Sequence, residues 1–199
     1  MKPITSITGR AVAIRRTNID TDQIIAARHC LRTTRTGFAE HLFAAWRAEP
    51  GFPLADPAHA GATILLAGAD FGSGSSREHA VWALQDHGFA VVIATRFGDI
   101  FADNAVRSGL VPAVLADDEV SGLMDTVEAD PALPVTVDLV SLTVRAAGIE
   151  VPIRMDADTR QRFLDGHDGI DVTLRHEAAI RAYELTHVPI ARASCLPER

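Results

Sequence analysis

Thr63-Ile64-Leu65-Leu66-Ala67 leads directly into Gly68-Ala69-Asp70-Phe71-Gly72-Ser73-Gly74-Ser75-Ser76. The first five residues are an apolar run of buried-strand length. The next nine are a glycine- and serine-rich turn. The pattern then predicts a helix from about Ser76 to His87, closed by Gly88, since glycine is favoured just past a helix end. Ala90 to Ala94 is a second apolar run. Strand, loop, helix and strand in that order make a βαβ unit, which implies two parallel strands joined by a crossover helix.

The same rhythm continues toward the C-terminus. A short helix fits Ile100 to Ser108, closed by Gly109, and a third strand fits Leu110 to Leu115. In the segment from Asp117 to Glu128, Val120, Leu123, Met124 and Val127 fall at helical spacing, with Asp117 or Asp118 available as the cap. After Pro131 the texture changes to alternation: Val135, Val137 and Leu139, then Leu142 and Val144, then Ile149 to Ile153 behind Gly148. These read as the antiparallel strands of a small meander. A last helix fits Glu177 to Thr186.

Toward the N-terminus, Ile7 to Ile14 reads as a strand and Arg15 to Asp22 as a polar turn. A long, mostly irregular stretch follows over 26–60, with Pro50, Gly51, Pro53 and Pro57 and a short helix expected from Phe38 to Arg47. Segments of this length inside a compact domain tend to be functional. The expected fold is therefore mixed α/β, with a parallel βαβ centre and an added antiparallel β layer. It forms one domain over 1–187, and a flexible tail is expected over 188–199.

Composition narrows the function. The 199 residues carry 26 acidic and 19 basic side chains, a net charge of -7, with no block of Lys or Arg. That excludes a nucleic-acid or anionic-membrane partner as the leading reading. The N-terminus lacks the apolar core of a signal peptide, and no run approaches the ~20 residues of a membrane span. The two cysteines, Cys30 and Cys195, lie far apart. A secreted disulfide framework is not expected, and the cytoplasm is the expected compartment. Nor can two thiols ligate an iron–sulfur cluster, which usually needs three or four. His29, His41, His59, His87, His167, His176 and His187 show no metal-ligand spacing, so no metal is expected on this chain's own side chains.

The glycine-rich loop is an anion-binding arrangement, because backbone N–H groups and a helix N-terminus converge there. A P-loop would need a lysine after Gly74, and none follows. A dinucleotide fingerprint would need glycine where Arg77 stands, and an acid where the next strand ends in Thr95-Arg96. What remains is a pair of hydroxyls, Ser75 and Ser76, beside a guanidinium able to clamp a carboxylate. The alternative is that Ser76 only caps the helix, with Glu78 or His79 completing the cap.

The full string Phe71-Gly72-Ser73-Gly74-Ser75-Ser76-Arg77-Glu78-His79-Ala80 resembles the signature of the swivelling β/β/α domain of the aconitase superfamily. That domain also occurs as the separate small subunit of isopropylmalate isomerases. Asn18 to Ile25 resembles the N-terminal motif of the bacterial small subunits. Thr34-Arg35-Thr36-Gly37-Phe38 with His41-Leu42-Phe43 resembles their long substrate loop. Arg96 to Phe101 with Asn104 resembles the segment after the second strand. The resemblance runs from about Gly9 to Tyr183.

It implies a hydro-lyase that dehydrates and rehydrates 2-isopropylmalate, a dicarboxylate, in leucine biosynthesis. The enzyme would be active only with a large subunit carrying a [4Fe–4S] cluster, as a heterodimer or heterotetramer. Under the resemblance, Ser75 is the catalytic alkoxide, and Ser76 and Arg77 bind carboxylate or support the loop. Asp22 orients an arginine, or else only stabilises its turn. A second substrate arginine is expected at Arg35 or Arg32, with Arg35 favoured by its context. Gly72 and Gly74 shape the loop, while Glu78 and His79 brace it or the interface. Ala27 and His29-Cys30-Leu31 depart from the family's pattern, which leaves citraconate or another substituted malate as an alternative substrate. A non-catalytic anion-binding module is the reading from a different class.

Overall fold

The computed structural model describes residues 1–31 and 34–187. The expected tail, 188–199, therefore lies outside the described residues, as do Arg32 and Cys195. Among the described residues seven strands form one sheet: β1 (Ser6–Ile14), β2 (Ile64–Ala67), β3 (Val91–Ala94), β4 (Val111–Val114), β5 (Pro134–Asp138), β6 (Thr143–Ala146) and β7 (Ile149–Pro152). Their order is β4-β3-β2-β1-β5-β6-β7. The first four are parallel, in registers such as Val12 beside Leu65 and Leu65 beside Val92. From β1 outward, β5, β6 and β7 run antiparallel. β1 is thus the seam between the parallel centre and the antiparallel layer.

Among the described residues eight α-helices accompany the sheet: α1 (Thr21–Ile24), α2 (Ala44–Arg47), α3 (Glu78–His87), α4 (Asp99–Ser108), α5 (Asp117–Ala129), α6 (Ala157–Asp165), α7 (Gly169–Leu174) and α8 (Glu177–Thr186). Alternate residues of the buried strands feed two cores, because side chains of a strand point to opposite faces. On one face Val12, Leu65 and Val92 meet Val81 and Leu84 of α3, with Phe38, Leu42, Phe43 and Trp46 of the long segment. Each such fully buried Leu or Phe contributes about 1.5–3 kcal/mol, which anchors that segment despite its lack of long helices. On the other face Ile64, Leu66 and Ile93 meet Val120, Leu123, Met124 and Val127 of α5. Val135, Val137 and Val144 of the antiparallel strands join this second core. The sheet therefore curls over its own α5 face, and the Arg154 N–H, just past β7, donates to the Val114 carbonyl of β4 at 2.8 Å.

Several local expectations need correction. The helix expected from Phe38 to Arg47 is broken at Phe43, whose φ is 48°, because its N–H bonds to the Ile24 carbonyl instead of a helical acceptor. The polar turn runs into a short helix, α1, capped reciprocally by Asp20 and Gln23. Neither Asp117 nor Asp118 caps α5; the Glu119 carboxylate instead accepts from the Ala116 N–H. α6 and α7 fall where no element was expected. No helix among the described residues is long and apolar enough to cross a membrane.

Candidate functional site

Three segments converge beyond the carboxyl ends of β1, β2 and β3, the edge where open α/β sheets bind ligands. After β1 comes the turn that runs into α1, after β2 the serine loop, and after β3 the stretch Thr95 to Gly98. Backbone bonds lace them together: Gly72 N–H to the Ile19 carbonyl (2.7 Å), Thr21 N–H to Ser73 (3.0 Å), Phe71 N–H to Arg96 (3.1 Å) and Gly98 N–H to Phe71 (2.9 Å). Gly72 is required by two independent constraints. Its φ is +75°, and a Cβ there would stand 2.2 Å from Cγ of Phe101. Asp70, at φ 61°, ends β2's extension and pairs with Arg96, with Oδ2 2.6 Å from the guanidinium. That pairing holds the Asp70 carboxyl below the usual carboxylate range.

Between these ties the loop turns outward. The Arg77 N–H donates to the Ser75 carbonyl at 2.8 Å, which closes a three-residue turn with Ser76 at its apex. Both serines are exposed, and neither hydroxyl has a partner among the described residues. The helix starts later than the sequence suggested: α3 begins at Glu78, and the residue before it, Arg77, makes no side-chain cap. The reading of Ser76 as helix cap is thereby corrected, since the bond that bends the chain at Ser76 holds it two residues outside the helix. The helix begins two residues after Ser76, and the first N–H groups of a helix have no acceptor within it.

Arg77 follows the two serines, and its guanidinium hydrogen-bonds to Oδ1 of Asp22, the second residue of α1. The same Oδ1 accepts from the Ala27 N–H at 3.2 Å. Asp22 is therefore no simple turn-stabiliser, because it joins two of the three converging segments. The guanidinium holds the Asp22 carboxyl below its ordinary range, and the carboxylate raises Arg77 in return. Cys30 belongs to the same neighbourhood: burial pushes its thiol up while the Arg77 charge pulls it down.

The other expected residues are more dispersed. His79 packs edge-on against Phe38 (ring centroids 5.4 Å apart) and at 4.7 Å from Trp82, which ties α3 to the long segment. Glu78 occupies the first turn of α3, where a negative charge suits the helix dipole. The Arg35 guanidinium sits 5.6 Å from the Trp82 ring and lines a cavity of about 400 Å³ with Asp86, Arg107 and Asp168. No hydrogen bond or ion pair joins it to the serine loop among the described residues. Arg32 lies outside them. Sequence reading missed Thr21, whose side chain is buried behind the loop, and the Asp70–Arg96 pair. Among the described residues no group of three or more His, Cys, Asp or Glu is placed to hold a metal ion.

Comparison with known proteins follows the same outline. Residues 1–118 match the family described as the aconitase C-terminal domain. The 3-isopropylmalate dehydratase small subunit of Acidothermus cellulolyticus is 57% identical over 98% of this chain and 100% of its own length. That of Thermobifida fusca is 52% identical over 95% of this chain and 97% of its own. The crystal structure of a 3-isopropylmalate dehydratase from Methanocaldococcus jannaschii, 26% identical, superposes with a TM-score of 0.66 over 90% of this chain and 99% of that one.

Proposed function

The chain belongs to the family of 3-isopropylmalate dehydratase small subunits, and from that premise we propose that it carries the base and a carboxylate clamp of a two-subunit hydro-lyase. The reaction is the isomerisation of 2-isopropylmalate to 3-isopropylmalate through isopropylmaleate, a cytoplasmic step in leucine biosynthesis. Ser75, as its alkoxide, takes the proton α to a carboxylate. That proton is only weakly acidic, so the base needs accurate placement and its charge needs stabilisation. The N–H dipoles at the start of α3 and the Arg77 charge supply the stabilisation. Arg77 spends one edge on Asp22 and offers its remaining N–H groups to a substrate carboxylate, with Ser76 beside it.

One observation carries this reading: two serine hydroxyls, without a partner among the described residues, stand exposed on a loop whose backbone is tied on both sides. A surface turn without a task has no need of such constraint. The chain's two cysteines, Cys30 and Cys195, are too few for an iron–sulfur cluster, which usually takes three or four thiolates. We therefore assign the cluster to a large partner subunit, in a heterodimer or a doubled assembly. The deciding experiment pairs this chain with a cognate large subunit under anaerobic conditions and follows 2-isopropylmalate. Activity in the mixture alone, lost in Ser75→Ala with the complex intact, is the expected result. A Ser75→Ala complex that still turns over would refute the assignment.

A further inference from the structure

We propose that Thr21 is a positioning residue for Ser75, acting through the serine's own carbonyl. Among the described residues Thr21 is the buried polar side chain of the core, 1% exposed. Burial of a hydroxyl is costly unless it is hydrogen-bonded, and this one has a specific partner. Its Oγ1 donates to the Ser75 carbonyl at 3.0 Å, while its N–H donates to the Ser73 carbonyl at 3.0 Å. The Ser75 carbonyl also receives the Arg77 N–H at 2.8 Å. Two donors from different segments thus fix one peptide plane, the plane that sets where the Ser75 side chain points.

Thr21 is itself held firmly. It opens α1, which is closed by the Asp20–Gln23 capping box, and Asp20 bridges to Ser73. The next residue, Asp22, holds the Arg77 side chain. Consecutive residues of one short helix therefore grip the backbone at the base and the side chain at the carboxylate clamp. Removing the Thr21 hydroxyl leaves the Ser75 carbonyl with the Arg77 N–H alone, and the plane is free to rock about it. A displacement of about 1 Å at a reacting group can cost on the order of 100-fold in rate.

This inference rests on the assignment of Ser75 as the base, and its test separates the two. In the complex with the large subunit, Thr21→Val keeps the shape and loses the donor, whereas Thr21→Ser keeps the donor. The expected result for Thr21→Val is a kcat lowered about 10- to 100-fold, a KM within about threefold and an unchanged melting temperature. Thr21→Ser should recover most of the rate. Amide hydrogen exchange provides the second readout: exchange at Arg77 should quicken in Thr21→Val and not in Thr21→Ser. A wild-type rate in Thr21→Val, or a loss that serine does not restore, overturns the proposal. If the wild-type pair proves inactive on 2-isopropylmalate, the functional reading falls. The exchange measurement then decides Thr21 alone, and unchanged Arg77 protection sinks it.

Discussion

The Asp22 carboxylate and the Arg77 guanidinium are joined although the chain places them in different segments, one in α1 and the other just before α3. Asp22→Asn leaves an arginine without its orienting partner. The expected outcome in the assembled enzyme is a kcat/KM lowered about 10- to 100-fold, the worth of one charge-assisted hydrogen bond. Thermal stability should barely move, because exposed ion pairs contribute about 0–1 kcal/mol. The sign of the pH effect follows from the depressed Asp22 value. The pair is fully present above the ordinary carboxylate range and is lost as pH falls through the lower, folded-state value. An NMR titration of the Asp22 carboxyl that showed an ordinary or raised midpoint would contradict this.

Gly72→Ala should be the most damaging small substitution in the loop. The new methyl group would meet the Phe101 side chain, and the backbone would hold a side chain at φ +75°. Left-handed strain alone costs about 1–3 kcal/mol, and the clash adds to it. A urea or thermal unfolding curve within about 0.5 kcal/mol of wild type would disprove the account, that being the range of inert surface changes.

His87, at the end of α3, predicts a second pH effect. Burial, and then the neighbouring Arg47 guanidinium, whose Nη2 lies 3.0 Å from Nδ1, lower its affinity for a proton. The unfolded chain takes that proton at a higher pH than the folded chain does. Stability should therefore be full above about pH 6.5, the ordinary histidine value, and decline as pH falls toward the folded-state value. Melting temperature recorded from pH 8 to 5 checks this, and His87→Gln should flatten that part of the profile.

Arg96→Ala offers a contrast. The pair with Asp70 is largely at the surface, so its loss should cost about 0–1 kcal/mol. The ladder between Phe71 and Arg96 should survive because it is made by backbone atoms. Circular dichroism and a melting curve close to wild type are expected; a collapse of the fold would show that the pair carries more than this.

Strands β2, β3 and β4 of the parallel centre were legible because each is a short apolar run and the helices that join them, α3 and α4, end at glycines, Gly88 and Gly109. The antiparallel layer was legible from alternation alone. α1 was not, since four residues capped by Asp20 and Gln23 look like any polar turn. The break at Phe43 was invisible for a different reason: it depends on the Ile24 carbonyl, a partner that no local pattern specifies. α6 and α7 hid in a polar stretch with little periodicity. At the site, Ser75, Arg77 and Asp22 could be named from their motif. Thr21 could not, because nothing in a threonine within a polar turn announces that tertiary packing will bury it. Arg35 was picked by context, and the fold sets its guanidinium over the Trp82 ring of α3, a neighbour that the motif does not name.

The curled sheet has a consequence for how other chains can approach. Its outer strands, β4 and β7, each contain a proline, Pro112 and Pro152, which cannot donate to a ladder. At one end the two edges are already engaged with each other through Val114 and Arg154. Neither border offers the uninterrupted row of N–H and C=O groups that strand addition requires. Strand addition at these borders is therefore closed to any other chain, and stray copies of this chain gain no template for stacking into fibres.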